Sequence, residues 1–415
     1  MHLLVVSQYF WPENFRINDL VDELIQRGHT VTILTGKPSY PIGKVYQNYR
    51  QDPHAFSEFK GAKIIRVPML ARGRGSFRLL LNYLTFVLGA SFFGPWHLRS
   101  ENIDAIFVFE PSPITVCLPA IFIGRLKSVP VLLWVLDLWP ETLSAIGVVH
   151  SPYLLKLVGV LVRFIYDRCT MILGQSNSFL SSIASYCSHP SKIYYFPSWA
   201  EDIFSSTLKN KAQEIADQNQ KFNILFAGNI GEAQDLPAVI DAAELLMPMG
   251  CVRWLIVGDG RKSAWLEEQI DRRGLQGEVL LLGRHGVERM PEFYAHADAL
   301  LVSLKKDPVF SMTIPGKIQS YLLSGIPIIG MLDGEGARVI EKAHAGLTCP
   351  AGDAAGLVKI ILKMVSMPLE ERRLLGFNGR AYAKTEFERN ALIERLENWL
   401  VESIKVYRQK DSVKT

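Results

Sequence analysis

The run Ser303-Leu-Lys-Lys-Asp-Pro-Val-Phe-Ser-Met-Thr-Ile-Pro-Gly-Lys317 leads straight into Ile318-Gln-Ser-Tyr-Leu-Leu-Ser-Gly-Ile-Pro327. A Pro-Gly turn followed by Lys317 at the start of a helix sets an ammonium beside unpaired backbone amides, an arrangement suited to a departing diphosphate. Lys305 and Arg284 are candidates to add charge, with solvated surface charge as the alternative for each. Three further stretches place glycines where strands end: Phe226-Ala-Gly-Asn-Ile-Gly231, Val257-Gly-Asp-Gly260 and Leu282-Gly-Arg-His285. Ligands of open α/β sheets gather at such carboxyl ends, and glycines let amides approach phosphate oxygens. The third glycine of a dinucleotide fingerprint falls at Ser263, which disfavours a nicotinamide dehydrogenase.

In the first half, Trp134-Val-Leu-Asp-Leu-Trp-Pro-Glu141 puts Asp137 just after an apolar strand, either facing a cleft or capping the turn that follows. Glu110, which ends another strand, and Glu141 are further cleft or acceptor candidates. The chain has no Asp-x-Asp, and its nine histidines form no ligand-like cluster, so no metal is expected. The paired carboxylates of a double-displacement glycosidase are not evident either.

These residues need a frame. The 415 residues exceed what one hydrophobic core normally organises, and two α/β domains are the natural division. Leu3 to Ser7, Ile17 to Gln26 and Thr30 to Leu34 read as a strand, a helix closing at Gly28 and a second strand. Further strands are expected at Lys63 to Val67, Ala105 to Phe109, Val131 to Leu136 and Met171 to Gly174. Polarity rises from Ser205 to Lys221, marking a linker. A second alternating series follows, with strands from Phe222, Trp254, Val279 and Ala299 and helices from Pro237, Ser263 and Met290. The expected fold class is α/β with two Rossmann-like doubly wound domains facing a cleft: residues 1–203, a linker over 204–220, residues 221–387, and a last helix in 388–415 packing back towards the first domain.

A formal charge of +4 and a pI of about 8.6 suit phosphate-bearing ligands or an anionic membrane and fall short of a nucleic-acid surface. Five scattered cysteines without a C-x-x-C argue for reduced core thiols. The amino terminus runs into an apolar strand without a charged leader, so a cytoplasmic location is expected. No charged residue occurs from Leu79 to Leu98, yet Asn82, Gly89, Gly94, Pro95 and His97 make it a poor continuous span. Arg66, Arg72, Arg74, Arg78 and Arg99 surround it, and the readings are a buried helix of the first domain or a helix attached to anionic lipid.

The stretch from Lys317 to Pro327, with Asp333-Gly-Glu-Gly-Ala-Arg-Val-Ile340 and Ala345-Gly-Leu-Thr-Cys-Pro-Ala-Gly-Asp353, resembles the family 4 retaining glycosyltransferases of the GT-B fold. Ser7-Gln-Tyr-Phe-Trp-Pro-Glu-Asn-Phe-Arg-Ile-Asn18 and Leu24-Ile-Gln-Arg-Gly-His-Thr-Val-Thr-Ile-Leu-Thr35 resemble the branch that builds bacterial surface polysaccharides, especially N-acetyl-L-fucosamine transferases. The resemblance implies that Gly228 and Asn229 line a diphosphate, that the loop at His285 meets the base through backbone groups, and that Glu335 and Gly336 sit by the donor sugar. It places Asn14 and Arg16 where relatives have a glycine-rich loop, with Arg16 able to reach a phosphate, and Asp137 near the reacting sugar. Two positions where many relatives carry glutamates are Met312 and Ser320 here, leaving Gln319 or Ser320 for the ribose. The basic pair usual after the first strand of the second domain is replaced by Glu232-Ala-Gln-Asp235.

The implied activity is retaining transfer of a sugar from a UDP-sugar to a lipid-diphosphate-linked saccharide in O-antigen or capsule synthesis. It would need no cofactor beyond the nucleotide-sugar, and the leaving phosphate would help deprotonate the acceptor. Peripheral contact with the inner face of the cytoplasmic membrane is expected alongside. A UDP-sugar 2-epimerase shares the architecture, and the missing glutamates also suit a non-catalytic nucleotide-sugar-binding protein.

Overall fold

A computed structural model of the chain describes every residue except 74, 146, 148, 150, 206–209, 217–220 and 413–415. Arg74 and most of the polar run around 206–220 therefore lie outside or at the margins of the described residues. The chain divides into two units, one of residues 1–197 with 390–415 and one of residues 198–389.

The first unit is built on eight strands: β1 His2–Val6, β2 Thr30–Thr35, β3 Glu58–Phe59, β4 Ala62–Arg66, β5 Ala105–Glu110, β6 Val131–Val135, β7 Met171–Gly174 and β8 Ile193–Tyr195. They lie in the order β3-β4-β2-β1-β5-β6-β7-β8, all parallel except the short β3–β4 hairpin. The runs Leu3–Val6, Ala105–Phe109 and Val131–Val135 are apolar because both sheet faces are covered. The helix Arg16–Gln26 buries Ile17, Leu20, Val21 and Leu24, one helical stripe.

The helix Arg389–Ser412 belongs to this unit, although the chain reaches it only after completing the other one. Its Leu392, Leu396 and Leu400 are buried, Glu397 pairs with Arg27 at 2.8 Å and His29 at 2.6 Å, and Trp399 stacks 5.2 Å from Tyr194.

The second unit has six parallel strands: β9 Phe222–Ala227, β10 Val252–Val257, β11 Val279–Leu281, β12 Ala299–Ser303, β13 Ile328–Met331 and β14 Gly346–Cys349. Their order is β11-β10-β9-β12-β13-β14. Counted within each parallel set, the second unit follows 3-2-1-4-5-6 and the first extends it by one strand to 3-2-1-4-5-6-7, the doubly wound order whose direction reverses between strands one and four. That switch point lies between β1 and β5 in the first unit and between β9 and β12 in the second.

Two expectations about boundaries change. The first unit ends at Pro197 and not at 203, and the supposed linker is partly core: Phe204, Ala212 and Ile215 are buried with Leu225 and Leu300 in the second unit. Its polar composition hid three apolar anchors. The apolar segment after Arg74 is one unbroken helix, Ser76–His97, long and apolar enough to cross a membrane. Its glycines are close-approach points rather than breaks. A Cβ at Gly89 would meet the Pro68 carbonyl oxygen at 2.4 Å, and one at Gly94 would meet Ile123 at 3.0 Å. Pro95 sits in the last turn, beyond most of the helix.

Because Leu396 is fully buried in the first unit, Leu396→Ala should cost it about 3 kcal/mol. Chemical denaturation followed by hydrogen exchange should show that loss in 1–197 and leave the protection of β9 to β14 unchanged.

Candidate functional site

In the second unit the site grows from the carboxyl end of β9. Gly228 follows it at φ +147 and is pressed against Gly258 at φ +150, where a Cβ would fall 1.9 Å from the Gly228 carbonyl oxygen. Only glycine fits this approach of two loops, so the Val257-Gly-Asp-Gly260 signal answers first to backbone crowding. Gly228 and Asn229 remain exposed.

The helix Gly316–Ser324 delivers Lys317 to the same place. Tyr321 on its second turn is fully buried and its hydroxyl accepts from the Ala227 amide at 3.0 Å, fastening the helix to the end of β9. The Lys317 ammonium then lies 3.8 Å from the centroid of the Phe226 ring and donates to Gln234 Oε1 at 2.7 Å. A Cβ on Gly228 would be 3.2 Å from the Lys317 Nζ. No carboxylate pairs with Lys317 among the described residues, and burial pulls its pKa down to about 7. A cation in the first turn of a helix also opposes the helix dipole. An anion beside the ammonium would offset both costs, and Lys317 and the Gly228 loop are placed together at this strand end.

The other donor-side candidates fall in different settings. Arg284 is exposed and feels Asp259. The His285 ring is tied to the Leu282 carbonyl oxygen at 2.8 Å and packs 4.5 Å from Phe293, which leaves the backbone of its loop as the available surface. The Lys305 amide donates to Ala233 at 2.9 Å and its ammonium faces Asp235, so it braces the 232–235 turn. Gln319 is buried, and its amide nitrogen, turned to the Pro315 and Gly316 carbonyl oxygens at 3.0 Å each, is spent on the start of its own helix. Ser320 is buried as well. Glu335 opens the helix Glu335–Lys342, buried and paired with Arg338 at 2.8 Å, while Gly336 fits against Leu332, where a Cβ would come within 2.4 Å. Gln234 and Tyr321 were not singled out as site residues by sequence reasoning. Gln234 lies in the stretch that replaces a basic pair, the one signal pointing to it.

In the first unit, Glu110 ends β5 fully buried, with the backbone amides of Leu136 and Asp137 facing its carboxylate. Burial first, and the nearby Asp137 charge second, push its pKa well above the carboxylate range. Asp137 follows β6 and accepts from the Thr142 hydroxyl at 2.5 Å, so it does cap the turn into the short helix Glu141–Ala145. Burial raises its pKa too, against hydrogen bonds from Thr142 and Ser112. The structure therefore brings Asp137 and Glu110 together as an interacting acidic pair, with the Tyr83 phenol feeling both. Glu141 accepts from the hydroxyl of Ser182, on the helix Asn177–Ser185, at 3.5 Å.

The loop after β1 holds Asn14, which is exposed, and Arg16, which pairs with Asp19 at 3.8 Å. That loop is built by residues without an assigned role in the sequence reading. Glu13 is buried and accepts from the amides of Ser39 at 2.7 Å, Tyr40 at 2.6 Å and Phe10 at 3.3 Å. Arg66 donates to the carbonyl oxygens of Trp11 and Gly36. Among the described residues, no group of three or more His, Cys, Asp or Glu is placed to hold a metal ion.

Two Rossmann-like units of this strand order are the architecture of the GT-B fold. Residues 221–367 match the family described as glycosyl transferases group 1, and the chain is a glycosyltransferase carrying that domain. It is 25% identical over 341 residues, 78% of this chain and 82% of the relative, to a protein named for colanic acid biosynthesis, the glycosyl transferase WcaI of Escherichia coli (strain K12). Over 180 residues, 43% of this chain and 44% of the relative, it is 26% identical to the amylovoran biosynthesis glycosyltransferase AmsK of Erwinia amylovora. Among solved structures, HepE of Anabaena in complex with UDP and glucose superposes with a TM-score of 0.66 at 14% identity, covering 96% of this chain and 99% of that one, a likeness of fold.

A lysine half-protonated near pH 7 takes up a proton when a diphosphate binds. Calorimetric affinity for UDP should therefore weaken ~10-fold between pH 6.5 and 8.5. Lys317→Met should bind UDP weakly and with little pH dependence across that window; equal pH slopes in both proteins would remove Lys317 from the site.

Proposed function

We propose that this glycosyltransferase moves a sugar from a UDP-sugar to a lipid-diphosphate-linked saccharide, with retention at the anomeric carbon, during assembly of a bacterial surface polysaccharide such as O-antigen or capsule. The reaction runs on the cytoplasmic side, at the inner face of the membrane where such an acceptor is held, and N-acetyl-L-fucosamine is the donor sugar to test first. The observation that carries the reading is the Lys317 ammonium, unmatched by a carboxylate beside the Gly228 loop. The names of WcaI and AmsK, both polysaccharide-building enzymes, and the UDP held by HepE support the choice of substrate class.

In this reading Lys317 and the amides of the 228–229 loop and of the first helical turn bind the diphosphate more strongly as the glycosidic bond breaks and its charge grows. The leaving phosphate oxygen accepts the proton of the attacking hydroxyl on the same face of the sugar. The electrostatic work falls to Lys317 and helix amides, so no metal is required. Asp137, held by Thr142, orients the acceptor or steadies positive charge at the anomeric carbon.

The test is product mass spectrometry and anomeric NMR with a panel of UDP-sugars and a polyprenyl-diphosphate saccharide. UDP release should require acceptor and survive EDTA. Lys317→Ala should lower kcat by ~10²-fold or more, and Asp137→Asn by ~10-fold or more with little change in donor KM. Donor conversion without acceptor would indicate an epimerase, and UDP-sugar binding without turnover on any acceptor would indicate a binding protein; either overturns the proposal.

A further inference from the structure

The helices Ser76–His97, Cys117–Lys127 and Pro152–Arg168 connect β4 to β5, β5 to β6 and β6 to β7. These crossovers all step the same way along the sheet, and right-handed connection puts them in one layer on one face. The layer is apolar on its outside as well as its inside. Leu80, Leu84, Leu88, Phe92 and Trp96 follow each other at helical spacing and are exposed, Phe92 by 76% and Trp96 by 65%. Phe122 and Leu126 are exposed on the second helix. Tyr153, Leu157, Val160 and Phe164 are exposed on the third, Tyr153 by 86% and Leu157 by 66%. Isolated exposed apolar side chains are ordinary, whereas a run across three neighbouring helices marks an interaction surface.

Charge says what kind of surface it meets. Arg78, Arg99, Arg125, Lys156, Arg163 and Arg168 are exposed on or at the ends of the same helices. Those helices contain one acid, Asp167, which is turned to the Ser188 amide and hydroxyl at 2.8 and 2.9 Å. Arg99 lies 4.6 Å from the Trp96 ring and Arg168 3.6 Å from that of Phe164, pairing cation with aromatic as at a lipid headgroup boundary. The first helix is held too firmly to leave the unit and span a bilayer. Asn82 is buried in its middle, accepting from Gln8 at 2.7 Å and donating to the Leu70 carbonyl oxygen at 2.6 Å, and Phe86 and Ala90 are fully buried.

We infer that this three-helix face is a docking surface for an anionic lipid bilayer, on which the first unit lies without crossing. Aromatic and leucine side chains enter the headgroup boundary, and the arginines and lysines pair with lipid phosphates around them. The inference rests on the lipid-linked-acceptor reading for its purpose. Its test needs neither donor nor acceptor, so the two can fail separately.

The full chain is sedimented with sucrose-loaded vesicles of phosphatidylcholine, with and without 30 mol% phosphatidylglycerol (~7:3, enough charge for electrostatic attraction to register). Binding should require phosphatidylglycerol and weaken with salt. Phe92→Asp with Leu157→Asp should lower vesicle affinity at least ~10-fold, and Lys156→Glu with Arg163→Glu several-fold, while UDP affinity is kept because these side chains lie on the outside of the other unit. Quenching of tryptophan emission by brominated lipid should drop in Trp96→Phe. Absence of wild-type binding at low salt, or binding indifferent to both double variants, overturns the inference. So does a lipid-independent dimer that Phe92→Asp dissolves, which would make the face a contact between copies.

Discussion

An ammonium packed against an aromatic face in the first turn of a helix is costly on three counts: it has lost water, it opposes the helix dipole, and it has no carboxylate to pair with. Lys317 bears all three, relieved only by Gln234 and the Phe226 ring. Such a group is kept in place by the rest of the fold. Tyr321 fixes the helix to the end of β9, and the mutual approach of Gly228 and Gly258 opens the backbone beside it. The switch point of the sheet supplies the location, and the unmatched charge is what the proposed diphosphate site rests on.

The first unit poses the mirror problem, buried carboxyls, and solves it in two ways. Glu13 is satisfied by three backbone amides and serves as a rivet for the loop after β1. Glu110 is less well satisfied, and burial together with the neighbouring Asp137 charge raises its pKa, while burial raises that of Asp137. The pair sits at the carboxyl ends of two neighbouring strands, β5 and β6, the first of which borders the switch point of the unit. Asp137 thus combines a structural bond to Thr142 with a pKa raised by burial.

The alternation of apolar runs with helical stripes made most of both sheets legible, since a parallel strand covered on both faces is apolar throughout. The short β3, β8, β13 and β14 were not marked as strands. The Pro-Gly-Lys317 turn was legible as a helix start with a cation in it. Gln234, Tyr321, Glu13 and Arg66 were not, because their roles depend on partners 83, 94, 26 and 55 residues away respectively. The buried anchors of the 198–220 segment were masked by polar neighbours, and the glycines of the helix Ser76–His97 looked like breaks because close packing against Pro68 and Ile123 leaves no local trace.

The central claim is that Lys317 is an ammonium held out of balance until an anion arrives. The most direct measurement is an NMR titration of its side-chain Cε and Nζ resonances, assigned by Lys317→Arg, in the free protein and with saturating UDP. The account predicts a midpoint near 7 in the free protein that rises on adding UDP. A midpoint at the ordinary lysine value of about 10.4 in the free protein, unmoved by UDP, would contradict it.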